Sequence, residues 1–240
     1  MIYKILPSLF TIGNLFLGIV SIILAFQGEA EYASIMVIIG MLLDGLDGRI
    51  ARLFNTNSEF GKELDSLSDV ISFGVAPAFI MFVTVMQNYG PIGWIITAVF
   101  PIAGALRLAR FNVKPGIPGY FVGLPITAAG GVLATITLYY QIFPSAVLFA
   151  TILLLSYLMV SNIKYPNFKK VGFPKAIYWI TPLIIVLVLI LAIIFPSHFT
   201  KIVFLPLGFY ALYGIKAGLS KKKHDDLCEE ELNSEANETR

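Results

Sequence analysis

The sequence predicts an all-α, polytopic integral membrane bundle of about eight transmembrane helices. Composition gives the first reason: of 240 residues 57% are hydrophobic and only 13% charged, about half the charge of a soluble domain. The mean hydropathy of +0.81 agrees. The second reason is pattern. Apolar residues fall in continuous runs long enough to cross a hydrocarbon core as helix, about 20 residues, not in the alternation of barrel strands. The third is the abundance of Gly (20) and Pro (13), which membrane helices tolerate better than soluble ones. A water-soluble globule is excluded. The single cysteine, Cys228, rules out a disulfide framework or a thiolate metal cluster. A net charge of +2 gives no basis for nucleic-acid binding.

In chain order the spans are Leu6–Phe26, Tyr32–Phe54, Leu67–Met86, Ile92–Phe111, Val122–Phe143, Ser145–Asn162, Ala176–Phe195 and Phe199–Gly218. Short turns separate them, among them Asn88-Tyr89-Gly90-Pro91 and Phe195-Pro196-Ser197. The segment 219–240 is a charged, apolar-poor tail of the kind that stays disordered. An even number of crossings puts both termini on one side. Sixteen of the 17 Lys and Arg residues then fall on that side, Lys201 being the exception. The positive-inside rule makes that side cytosolic. The expected location is the cell (cytoplasmic) membrane, multi-pass, with a true first span and not a cleaved signal.

The second span breaks its own pattern. Asp44 and Asp47 follow the apolar run Ile35–Leu43 and share a helix face. Each costs about 2.5–3.5 kcal/mol near the centre of a membrane helix. Asp65 and Asp69 follow four residues apart, at the membrane entry of the third span, with Gly61 one turn earlier. Carboxylates converging in low dielectric need countercharge. Arg49 and Arg52 can supply part of it. With no His or Cys beside them, the carboxylates favour hard divalent ions, Mg²⁺ or Mn²⁺. Two such ions form a clamp suited to phosphoryl-type displacement. Salt bridging within a bundle is the plainer alternative, but ionisable residues inside a membrane are functional by default.

The full spacing reads Asp44-x-x-Asp47-Gly48-x-x-Ala51-Arg52, eight residues, Gly61, three residues, Asp65, three residues, Asp69. It resembles the signature of the CDP-alcohol phosphatidyltransferases at every fixed position. Gly48 and Ala51 leave room for a diphosphate beside the backbone, and Arg52 offers it a planar donor. The resemblance implies a six-helix catalytic core in residues 1–175, with residues 176–218 as two additional spans. It also implies cleavage of a CDP-linked lipid such as CDP-diacylglycerol by an alcohol, releasing CMP. By the same resemblance Asp44, Asp47, Asp65 and Asp69 hold two Mg²⁺ or Mn²⁺ ions, and Asp69 is the general base. Gly48, Arg52, Ser58 and Gly61, with Thr11 and Asn14 of the first span, correspond to the CDP-lipid side. The family also implies a homodimer, for which Gly214 and Gly218 provide a small-residue helix face.

The acceptor is read from the fourth span. Gly104-Ala-Leu-Arg107-Leu-Ala-Arg110-Phe-Asn112 places two arginines and an amide at the cytosolic end, an anion site. Beyond it, Gly123-Leu-Pro125-Ile-Thr and Ser156–Lys170 resemble bacterial members of the family that use L-serine. Arg107 or Arg110 would take the serine carboxylate, with Asn112 beside them. Glycerol 3-phosphate or inositol phosphate as acceptor is the nearest alternative. A divalent-cation transporter is the alternative of another class, since transporters also carry acids at mid-membrane.

Overall fold

The computed structural model describes residues 2–53, 58–113 and 120–166. The expected seventh and eighth spans, Gly214, Gly218 and the tail lie outside them. Within the described residues the chain is helical apart from one small strand pair. Helix α1 spans Ile2–Phe26 and α2 Ala30–Leu53. The turn between them is closed by Gly28, whose φ of 88° is the left-handed conformation glycine adopts without strain.

Helix α1 is amphipathic in an inverted sense. Its outer face carries Leu9, Ile12, Phe16, Ile19, Ile23 and Phe26, all exposed. Its buried seam is Thr11, Asn14, Gly18, Ser21 and Ala25, alternately three and four residues apart. Large apolar side chains facing outward with small and polar ones inward is the arrangement of a helix bathed in lipid. The seam packs against α2, where the Ser21 hydroxyl donates to the Ala33 carbonyl at 2.9 Å.

The third span begins earlier than its apolar run suggests. Ser58 caps α3 (Glu59–Asp69), accepting from the Gly61 N–H at 3.0 Å. The helix continues through a π-helical segment, Val70–Val75, into α4 (Ala76–Thr84). Asp65 and Asp69 therefore sit in the first half of a helix of 26 residues, Glu59–Thr84. The wide turn has a local cause. Pro77 lacks the N–H that would bond the Phe73 carbonyl, and the Ala76 N–H reaches back to Ile71 O instead, the i→i−5 pattern of a π turn. On α6 a side chain at Gly130 would run into that Phe73 carbonyl, so glycine there admits the bulge.

A short 3₁₀ turn, Met86–Tyr89, leads into α5 (Gly90–Val113), which contains Pro101. The expected fifth span, Val122–Phe143, is shorter than its hydropathy indicates. Strand β1 (Tyr120–Val122) comes first. The chain then turns at Gly123, with φ 78°, and α6 occupies only Ile126–Thr137. Ala128 through Thr137 are all buried, which makes α6 the central element of the bundle and accounts for its being apolar all round. Helix α7 spans Ser145–Val160. After it, β2 (Lys164–Pro166) pairs antiparallel with β1, Phe121 opposite Tyr165. This ladder is the one departure from an all-α expectation among the described residues.

Among the described residues three segments are long and apolar enough to cross a membrane: Pro7–Phe26, Glu59–Thr84 and Met86–Val113. Helix α2 matches them in length at 24 residues but carries the two aspartates and two arginines.

Close packing of α1 on the π segment is testable. A Cβ at Gly18 would lie 2.8 Å from Ser72 Cα, whereas one at Gly45 meets nothing within 4 Å. We expect Gly18→Ala to cost about 1–3 kcal/mol and to lower the thermal midpoint in detergent. Gly45→Ala should leave that midpoint unchanged or raise it slightly.

Candidate active site

The pairs Asp44/Asp47 on α2 and Asp65/Asp69 on α3 meet. Ligand oxygens of Asp44, Asp47 and Asp65 all lie within 4.8 Å of one another. Asp69, one turn beyond Asp65 on α3, is not one of that three, but the charges of Asp44, Asp65 and Asp47 act on it. It is 7% exposed, and its Oδ1 is buried without a hydrogen-bond partner. At an effective dielectric of ~20, two unit charges this close repel by about 3 kcal/mol or more. Three or four ionised carboxylates cannot share this volume without a cation or a proton. The donor set is oxygen throughout, which fits a hard divalent ion better than zinc or copper. The buried Asp69 Oδ1 supplies an acceptor with nothing yet to bind. Residues and site therefore fit the expected metal.

Helix α1 backs the cluster. The Thr11 hydroxyl donates to Asp47 Oδ2 at 2.9 Å, with the Pro7 carbonyl at 3.2 Å as a second acceptor. The Ser68 hydroxyl donates to the Thr11 carbonyl at 3.2 Å, and Ser72 to the Asn14 carbonyl at 3.0 Å. Asn14 is wholly buried, with neither amide atom partnered. A Cβ at Gly40 would stand 2.8 Å from its Oδ1. Gly48 is half-buried on α2. Arg52 lies in the last turn of α2, its side chain outside the described residues. Ser58 and Gly61 form the α3 cap.

The fourth-span residues diverge. Arg107 is buried, 8% exposed, with its guanidinium carbon 5.8 Å from the centre of the Phe111 ring. Arg110 turns to α7, donating to the Val160 carbonyl at 3.1 Å and to Asn162 Oδ1 at 3.2 Å. Asn112 turns to α3, donating to Ser66 Oγ at 3.0 Å and approaching Glu63 Oε2 at 3.5 Å. Helix α5 is thus tied on one side to the end of α7 and on the other to the turn that carries Asp65. Ser66, Ser68, Ser72 and Asn162 escape a sequence search aimed at acids and arginines. The signal for two of them was present, because Ser68 and Ser72 stand four apart in an apolar helix and so share one face.

This geometry coincides with a match along the chain. Residues 4–162 match the CDP-alcohol phosphatidyltransferase family. The chain belongs to that family. Among its relatives, a CDP-diacylglycerol–serine O-phosphatidyltransferase of Helicobacter pylori is 42% identical over 218 residues, covering 87% of this chain and 89% of the relative. The Bacillus subtilis protein of the same name is 37% identical over 165 residues, 69% of this chain and 92% of the relative. An archaetidylserine synthase of Methanothermobacter thermautotrophicus is 36% identical over 171 residues, 70% of this chain and 72% of the relative.

Crowded carboxylates make a further expectation. Asp65→Asn should raise the thermal midpoint of the metal-free protein, because repulsion falls. It should also abolish the additional rise that Mn²⁺ brings to the unaltered protein, since ligand binding stabilises only a competent site. Thermal unfolding in detergent with and without Mn²⁺ checks both signs.

Proposed function

We propose that this phosphatidyltransferase family member moves a phosphatidyl group from CDP-diacylglycerol to L-serine, giving phosphatidylserine and CMP. The observation that carries the chemistry is the carboxylate cluster formed across α2 and α3 by the family's own spacing. The acceptor rests on the relatives. Bacterial and archaeal proteins similar to this chain differ in the lipid their names give, yet serine is named in each.

In this reading Asp44, Asp47, Asp65 and Asp69 hold two Mg²⁺ or Mn²⁺ ions, which when bound neutralise the diphosphate and stabilise the CMP leaving group. Gly48, Arg52, Ser58 and Gly61 face the nucleotide. Asp69 accepts the serine hydroxyl proton as the hydroxyl oxygen bonds to the lipid-side phosphorus and the bond from that phosphorus to CMP breaks. Its burial keeps bulk water from that proton. Arg107 receives the serine carboxylate, the guanidinium fork matching a carboxylate in two bonds. Arg110 and Asn112, engaged with α7 and α3, border that subsite. Six spans form the catalytic core and two more follow it. Both termini and the active site face the cytosol, and the protein works as a homodimer in the cell membrane. A lipid donor and a polar acceptor meeting at one site explain why a phosphotransferase needs membrane spans. The acids cluster toward one end of their helices beside Arg52, with no acidic partner in the outer half of the expected spans, and this favours the transferase over a cation transporter.

Purified protein in detergent, given CDP-diacylglycerol and Mn²⁺ or Mg²⁺, should release CMP with L-serine and not with glycerol 3-phosphate or inositol phosphate. CMP release with either of the others would replace the acceptor and keep the metal site. No release with any acceptor, alongside tight metal binding, would favour transport. Asp69→Asn should lower kcat by about 10²–10⁴ while CDP-lipid binding persists. Arg107→Ala should act chiefly on the KM for serine.

A further inference from the structure

The family resemblance assigns Thr11 to the nucleotide, but its surroundings point elsewhere. Thr11 is 4% exposed, enclosed where α1 meets α2 and α3. Its one hydroxyl proton has two acceptors, Asp47 Oδ2 at 2.9 Å and the Pro7 carbonyl at 3.2 Å. The carboxylate is the nearer, and a hydrogen bond to an ionised acceptor is roughly twice as strong as one between neutral groups. The proton therefore belongs to Asp47.

That bond anchors one carboxylate oxygen of Asp47 and with it the plane of the group. Threonine suits the task because its branched β-carbon restricts rotation about the first side-chain bond. Thr11 is itself held, since its carbonyl accepts from Ser68, the residue before Asp69. One α1 residue thus meets both carboxylate-bearing helices. Burial of the hydroxyl and its commitment to an acid leave it no proton to offer a nucleotide.

We propose that Thr11 is a positioning residue that orients Asp47 for divalent-cation binding and donates no hydrogen bond to the nucleotide. The inference rests on the metal reading given above. Groups behind a metal ligand commonly set affinity by 10–100-fold.

The test uses the full-length protein in detergent. Mn²⁺ affinity is measured by electron paramagnetic resonance without nucleotide, and CMP affinity separately at saturating Mn²⁺. Thr11→Val keeps the shape and removes the donor; Thr11→Ser keeps the donor. Thr11→Val should weaken Mn²⁺ binding about tenfold and leave CMP affinity at saturating Mn²⁺ unchanged, while Thr11→Ser stays near the unaltered protein. In an Asp47→Asn background Thr11→Val should have no further effect on Mn²⁺, because its action passes through that carboxylate. Thr11→Ala gives the same reading if the valine variant does not fold. Unchanged Mn²⁺ affinity in Thr11→Val, or a loss confined to CMP, overturns the proposal. Failure of the unaltered protein to bind Mn²⁺ would overturn the metal reading and this inference with it, an outcome distinct from silent variants.

Discussion

Bringing the carboxylates of Asp44, Asp47 and Asp65 within 4.8 Å of one another, with buried Asp69 one turn further on, is the constraint that organises this protein. Repulsion on the order of several kcal/mol acts to part α2 from α3. The opposing restraint comes from helices that carry no acid. Helix α1 fastens to α2 through Thr11 and Ser21 and receives hydrogen bonds from α3 and the π segment through Ser68 and Ser72. Helix α5 holds α3 from another side through Asn112 and Ser66. Buried α6 offers Ala134 O to Ser34 of α2 at 3.0 Å. Each contact is modest, about 0.6 kcal/mol on average for hydrogen bonds between membrane helices, so the cluster depends on their number.

The sequence disclosed the acidic cluster more fully than the shape. Asp44, Asp47, Asp65 and Asp69 were legible because a charge in an apolar run contradicts its surroundings, and helical spacing alone groups them in pairs. What hydropathy misplaced were the limits of elements. It set the start of the third span at Leu67, since Glu59, Lys62, Glu63 and Asp65 are polar, whereas the Ser58 cap begins the helix at Glu59. It merged the last residue of β1, the Gly123 turn and α6 into one span, because apolar residues look alike in a ladder, a turn and a buried helix. The π segment left a trace in Pro77, but a proline alone does not tell a kink from a widened turn.

The arginine pair shows a different limit. Arg107 and Arg110 lie three residues apart, which places them on one helix face and suggests a shared ligand. Tertiary context separates them: one is buried beside Phe111, the other reaches the C-terminal end of α7. Spacing along one helix cannot show which neighbour claims each guanidinium. For Arg110 the partner element decides that, and it lies 50 positions further along.

The inverted seam of α1 bears on how such a protein holds together at all. In water a fold gains by hiding its greasy side chains. Here those of α1 point outward, and the surroundings are as oily as they are. Burying them against protein gains little over leaving them in lipid. Cohesion must come from what the bilayer cannot offer: small residues that let backbones touch, and hydroxyls that find carbonyls. The solvent therefore acts as the outermost layer of this fold. Exchanging bilayer for detergent changes a structural component of the protein as well as its container.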